Sequence, residues 1–323
     1  MKTAIASLLV PLASLALGLP ASHAAAETPA RPNILLIMAD DLGYTDLGSF
    51  GGEIATPNLD RLADTGTRMT QFYASPFCSP TRAMLMSGSD NHLVGIGDMS
   101  ELMTDEQRGK PGYEGYLNER VVSVAQVLKD AGYRTMMTGK WHLGVPEQHS
   151  PARHGFDHSY ALVQGGSSHF SDQAGIVALD PDKAPKAIYR EDGRSVDVPE
   201  DFYSSDFFTS RLIEYIERDK ASGKPFFAYL AFTAPHWPLH AHEVDIAKYE
   251  GRYKAGYDAL RKERLERMKA LGIVAADTAV FEGHPLWPKW DSLSEAEKAS
   301  EAKRMTVYAA MVDNMDQNIG RML

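Results

Sequence analysis

Three strand-like runs stand out in the pattern of apolar and polar positions, and each stops abruptly at charged or imidazole side chains. Asn33-Ile34-Leu35-Leu36-Ile37-Met38-Ala39 ends at Asp40-Asp41. Tyr133-Arg134-Thr135-Met136-Met137-Thr138 ends at Gly139-Lys140-Trp141-His142, and the run from Pro225 to Phe232 leads to Pro235-His236. Short runs with little polar alternation suit strands buried on both faces, as in a parallel sheet. Between them the period lengthens to that of a helix. Thr56-Pro57 opens one helix, with Leu59, Leu62 and Ala63 on a stripe and Gly66 as its stop. Asn118 is placed to cap a second, which carries Val121, Val124, Ala125 and Leu128 and ends at Gly132. A third runs from about Ser205 to Arg218 with Phe208, Leu212, Tyr215 and Ile216 inward. Residues 67–74 read as a shorter strand, 89–117 as an irregular surface excursion and 180–203 as a loop. The charge-dense stretch 242–304 reads as helices over the sheet's edge. Lys303 to Leu323 is an amphipathic helix with Tyr308, Met311, Val312, Met315, Ile319 and Met322 on its stripe. This alternation predicts an α/β fold with a mostly parallel sheet.

In open α/β sheets, ligands bind outside the carboxyl ends of the strands. If the three strands are parallel, Asp40, Asp41, Lys140, His142 and His236 converge on one edge. Adjacent carboxylates suit a hard cation such as calcium or magnesium, although an Asp-Asp turn serves equally well as a backbone cap. Lys140 and His142, two apart on extended backbone, would point the same way. His236 lies between Pro235 and Pro238, which stiffen its loop. His92, His149, His154, His158 and His169 have no comparable setting and read as ordinary histidines.

A fourth stretch gives this edge a nucleophile. Cys78-Ser79-Pro80-Thr81-Arg82 holds the chain's single cysteine. Ser79 reads as the N-cap of a short helix, Pro80 as its first turn, Arg82 to Met86 as its body and Gly88 as its exit. Cys78 would then sit at the positive end of a helix dipole, where anions bind. Together Arg82, Lys140, that helix end and a divalent cation would hold a tetrahedral oxyanion. A group at position 78 would attack it, and a histidine would protonate the leaving oxygen.

Composition narrows the partners. The chain has 323 residues, is 44% hydrophobic and carries a formal charge of −10 without a basic block. That argues against a nucleic-acid surface, so an anionic ligand must meet a local cationic pocket. Met1-Lys2, the apolar run to Leu19 and the small residues up to Ala24 read as a cleaved secretory signal over 1–24. The protein is expected in the periplasm or outside the cell, without stable membrane insertion. Its lone thiol then reads as chemical rather than as half of a staple.

Cys78-Ser79-Pro80-Thr81-Arg82 resembles the sulfatase signature, whose cysteine is oxidised to formylglycine. Arg31-Pro32-Asn33 through Asp40-Asp41-Leu42-Gly43, Thr56-Pro57-Asn58-Leu59-Asp60, Gly139 to Gly144 and Ala234 to Pro238 also resemble blocks of that family, in family order. The similarity runs from about residue 31 to the end and is closest to bacterial arylsulfatases. It implies the alkaline phosphatase superfamily fold and hydrolysis of sulfate esters, with aryl sulfates first. By the same resemblance, Cys78 is a formylglycine made by a dedicated modification enzyme and present as its hydrate. One hydroxyl attacks sulfur, and the other loses a proton so that sulfate leaves. Asp40, Asp41 and an oxygen at position 78 would bind calcium, with magnesium less favoured. Arg82 would steady the formylglycine, His142 would be the base, Lys140 would bind sulfate and His236 would assist the leaving group. Family members continue past the helix at Lys303 to Leu323 into a strand bearing an Asp-Asn pair, then a second lysine and a small domain. Residues 31–323 are therefore expected to be an incomplete catalytic domain, with the last helix's apolar stripe left uncovered. A phosphonate or phosphate monoester hydrolase and an inactive fragment are the alternatives.

Overall fold

The computed structural model describes residues 31–176 and 185–323. The signal-like segment 1–24 lies outside these residues. The first apolar run forms β1, Ile34–Asp40. The second forms β2, Arg134–Lys140, and β3 follows at His158–Leu162. A hairpin comes next: β4 is Tyr189–Glu191 and β5 is Arg194–Val196. The third apolar run is β6, Phe226–Pro235. The strand order is β1-β6-β2-β3-β4-β5. The first four strands in that order are mutually parallel, and β4 and β5 join antiparallel at the edge.

Strand β6 occupies the middle, and its alternation builds two cores. Ala228, Leu230 and Phe232 face one side with Met136, and Phe227, Tyr229 and Ala231 face the other with Met137. Successive side chains of a strand point to opposite faces, so a strand covered on both sides must be apolar throughout. Against the first face pack α4 (Ser204–Arg218) and α7 (Glu295–Met322). The second face carries α2 (Cys78–Ser87) and α3 (Val124–Asp130), which bury Ala83, Met86 and Ala125. The remaining helices are α1 (Pro57–Thr65), α5 (Glu243–Lys248) and α6 (Gly256–Ala270).

Several boundaries differ from the sequence reading. Helix α2 begins at Cys78 itself, with Phe77 rather than Ser79 as its N-cap, because the Thr81 amide already bonds the Phe77 carbonyl at 3.1 Å. Ser123, not Asn118, caps α3, its Oγ accepting from the Gln126 amide at 3.1 Å. Residues 67–74 form no strand: no neighbouring strand pairs with them among the described residues, and Phe72 and Tyr73 are largely exposed. The loop expected over 180–203 contains β4 and β5, joined at Asp192-Gly193 with φ of 48° and 88°. Positive φ at both central residues matches the right-handed twist of a hairpin. Helix α6 packs on α7 rather than on the sheet.

Helix α7 is capped by Ser294, whose hydroxyl and the Glu297 carboxylate form a reciprocal capping box. The apolar stripe expected to be uncovered is closed in: Met311, Val312, Met315 and Ile319 are buried against β6, α4 and their neighbours. Its polar face is also buried, through specific partners. Asp313 accepts from Tyr249 Oη at 2.8 Å, and Asn318 donates to Asp206 at 2.7 Å. Asp316 accepts from the Asn58 and Leu59 amides at 3.1 and 2.8 Å, so a carboxylate on α7 caps the N-terminus of α1.

Candidate active site

Because β1, β6 and β2 run parallel, their carboxyl ends bring Asp40, His236 and Lys140 to one edge, where α2 starts. Gly139 makes the close approach possible. Its φ is +108°, and a Cβ there would lie 1.8 Å from the Ala231 carbonyl oxygen of β6. The edge opens into a cavity of about 280 Å³ lined by Asp40, Asp41, Phe77, Cys78, Thr81 and Arg82.

Under this cavity lies a buried charge cluster. Asp40 Oδ2 accepts from Lys140 Nζ at 2.6 Å and Asp40 Oδ1 from Arg82 Nη2 at 3.2 Å. Arg82 also donates to the Lys140 carbonyl at 2.8 Å and to Tyr229 Oη at 3.4 Å. All three charged side chains are nearly inaccessible, at 4%, 2% and 0% exposure for Asp40, Arg82 and Lys140. Burial alone raises the Asp40 carboxyl, but Arg82, Lys140 and His236 together hold it below the ordinary carboxylate value. Arg82 and Lys140 thus share the Asp40 charge, and the Lys140 ammonium, with three N–H donors, has capacity beyond this one bond.

His142 departs from the extended backbone on which it was expected to run parallel to Lys140. Its φ is +55°, off the end of β2, which turns the ring toward α2. The Ser79 hydroxyl donates to its carbonyl at 2.7 Å and fixes the turn. On the ring, Nδ1 faces Cys78 Sγ at 3.3 Å and Nε2 faces Glu101 Oε2 at 3.2 Å. Burial would keep this imidazole neutral, but its bonds to Cys78 and Glu101 outweigh that and raise its pKa. Burial likewise pushes the Cys78 thiol up, and the His142 bond with the Lys140 charge brings it net below its ordinary value. Glu101 is drawn down to about 2, against the effect of burial, by its bond to His142.

His236 follows β6 with its Nε2 3.6 Å from Asp41 Oδ2. Its backbone is held by His169, whose Nε2 donates to the His236 carbonyl at 2.9 Å while Nδ1 accepts from Ser204 Oγ at 2.7 Å. A carbonyl can only accept, which fixes this tautomer. Burial keeps His169 neutral, with its pKa pushed down to about 4. Sequence reading passed over both His169 and Glu101. Neither follows an apolar run, and both lie in loops whose course depends on distant partners. Asp41 is placed by a second network: Tyr308 Oη donates to Asp46 at 2.6 Å and lies 3.2 Å from the Asp41 carbonyl, and Asp46 pairs with Arg264 at 2.6 Å.

Asp40 and Asp41 are hard oxygen donors of the kind calcium takes, but calcium needs six to eight oxygens. Both Asp40 oxygens are engaged by cations of the chain. Among the described residues no group of three or more His, Cys, Asp or Glu is arranged to hold a metal ion. These two carboxylates alone do not make a calcium site. Nor is any helix among the described residues long and apolar enough to cross a membrane.

The family model described as Sulfatase matches residues 32–323. An uncharacterized sulfatase of Schizosaccharomyces pombe is 44% identical over 299 residues, covering 91% of this chain and 54% of that protein. The arylsulfatase of Klebsiella aerogenes is 43% identical over 304 residues, covering 94% and 63%. The crystal structure of Ps i-CgsB shares the fold at a TM-score of 0.62 and 27% identity, over 90% of this chain and 54% of that one. The chain thus spans between about half and just under two thirds of the length of these relatives.

Proposed function

The chain belongs to the sulfatase family, and from that premise we propose that it hydrolyses sulfate esters, aryl sulfates first, through a formylglycine made from Cys78. The observation that carries this reading is the pairing of Cys78 with His142 at the start of α2, above the buried Asp40–Arg82–Lys140 cluster. The hydrated aldehyde supplies a hydroxyl nucleophile and a second hydroxyl through which sulfate can be released. The chain's own residues surround that position. Arg82, fixed by the Lys140 carbonyl and Tyr229, aligns α2 and gives the site positive charge. The N-terminus of α2, which begins at Cys78, puts the positive end of the helix dipole at this position and favours an anion there. His142 Nδ1, facing position 78, takes and returns the proton there. His236, held at its carbonyl by His169 and 3.6 Å from Asp41, is the proton donor to the leaving oxygen. Lys140, with N–H donors beyond the one given to Asp40, is the cation for a sulfate oxygen. Asp40 and Asp41 enter the calcium reading only as two of the oxygens such an ion takes.

The aryl preference rests on the name of the Klebsiella relative. The same proposal includes a sulfated small molecule as substrate, a modification enzyme acting on Cys78, and export to the periplasm or beyond on the strength of the 1–24 pattern. Turnover of an aryl sulfate is tested against an aryl phosphate, each with and without calcium, in protein from a host that makes formylglycine. The expected result is faster hydrolysis of the sulfate. Faster hydrolysis of the phosphate points instead to a phosphate or phosphonate monoesterase, and no turnover of either points to an inactive chain.

A further inference from the structure

Imidazole has two nitrogens, and a neutral ring can serve as a base only through the one without a proton. Which nitrogen that is depends on what the other one meets. At His142 the two face opposite ways. Nδ1 looks at Cys78 Sγ across 3.3 Å, and Nε2 looks at Glu101 Oε2 across 3.2 Å. An ionised carboxylate accepts and cannot donate, so Nε2 must carry the proton for this contact to be a hydrogen bond. Nδ1 is then left with a lone pair aimed at position 78.

Burial and two further contacts leave the ring little freedom to turn away. His142 is 4% exposed. Its carbonyl is tied to Ser79 Oγ at 2.7 Å, and Gly165 lies so close that a Cβ there would come within 2.8 Å of the ring's Cε1. Glu101 is itself held on a turn closed by the Leu102 and Met103 amides on the Met99 carbonyl at 2.9 and 3.2 Å. Met99 Sδ in turn contacts Cys78 Sγ at 3.6 Å, so one short turn touches both ends of the pair.

We propose that Glu101 is a positioning residue for the reaction at residue 78: it holds His142 in the tautomer protonated at Nε2, so that Nδ1 is the base. Glu101 touches neither the nucleophile nor the cavity's cation cluster, and acts only through the ring. This inference rests on the sulfate-ester reading for its consequence but not for its geometry. The two therefore need different readouts.

The experiment compares the unaltered chain with Glu101→Gln and Glu101→Ala. In ring-¹⁵N-histidine-labelled protein, with His142 assigned by the loss of its signals in His142→Gln, long-range ¹⁵N–¹H spectra report the tautomer directly. At a pH where the ring is neutral, the unaltered protein is expected to show the Nε2-protonated form. Glu101→Gln, nearly isosteric and still able to accept through its amide oxygen, is expected to keep that form. Glu101→Ala is expected to give a mixture of tautomers. With an aryl sulfate as substrate, kcat is expected to fall about 10²-fold in Glu101→Ala, within the usual range for a misplaced general base. KM should be nearly unchanged, and Glu101→Gln should recover most of the rate. An Nδ1-protonated ring in the unaltered protein, or a tautomer and kcat indifferent to Glu101→Ala, overturns the proposal. Should the unaltered chain hydrolyse no sulfate ester, the functional reading fails while the spectra still decide the role of Glu101.

Discussion

Asp40 accepts from two cations that have almost no access to water, and this sets what single residues can do. Removing one member of a buried ion cluster leaves the others uncompensated, which costs about 3–5 kcal/mol. Asp40→Asn keeps the shape and removes the charge, leaving Arg82 and Lys140 facing each other across it. We expect a loss of about 3 kcal/mol in urea unfolding, and a change below about 1 kcal/mol would show that water reaches the cluster. The pair above the cluster has a different signature. Cys78→Ala should abolish sulfatase turnover with little effect on unfolding, since the thiol does not neutralise Asp40, whereas His142→Ala should abolish turnover and also lower stability, because it strips Glu101 of its partner. An unchanged rate in His142→Ala would remove His142 from the mechanism. That Asp40, Lys140 and His236 meet at one edge was legible in the sequence, because each stands at the end of an apolar run that suits a buried strand. Glu101 and His169 were not, since their roles come from hydrogen bonds to residues 41 and 67 positions away.

Among the elements, α7 carries the fold's second half through polar contacts as well as apolar ones. Its stripe was visible as a helical period, but the burial of Asp313, Asn314, Asp316 and Asn318 was not. A polar residue looks solvated until its partner on another helix is known. Asp316 is the clearest case, because α1 has no capping side chain of its own and takes this one instead. Asp316→Ala should cost about 2 kcal/mol, the scale of a charged acceptor lost from partly buried amides, and lower the melting temperature accordingly. Asp316→Asn should recover part of it. Equal stability for all three proteins would mean that water caps α1 just as well. At β2, Gly139→Ala forces a methyl into the Ala231 carbonyl at a positive φ, so it should reduce stability by about 2 kcal/mol or more and displace Lys140. The Asp192-Gly193 hairpin shows the opposite failure of reading. Its turn signal was present, but β4 and β5 have three residues each, too short to show a period.

At the scale of the molecule, the parallel strands turn separated motifs into one edge, and the same packing gives stability a pH dependence. His169 is neutral in the fold at about 4, against an ordinary 6.5, because it is buried. Between those values the unfolded chain binds a proton that the folded chain does not. Stability therefore rises with pH across this window and is lost on acidification, at up to about 1.4 kcal/mol per pH unit from this residue. His154, also pushed down to about 4 by burial, acts with the same sign. Glu101 adds a loss lower down, from its ordinary 4.5 toward about 2. Urea midpoints between pH 7 and 4.5 should fall, and more shallowly in His169→Gln; parallel curves would contradict the buried neutral imidazole. The family resemblance, the fold class and the converging strand ends could all be read from the chain, whereas the closing of α7 against its neighbours could not. The claim on which the rest depends is the chemical identity of residue 78. The mass of the peptide containing Cys78, in protein from its native host, tests it most directly. The mass of an aldehyde or its hydrate is expected at that position, and an unmodified thiol throughout would rule out a formylglycine there.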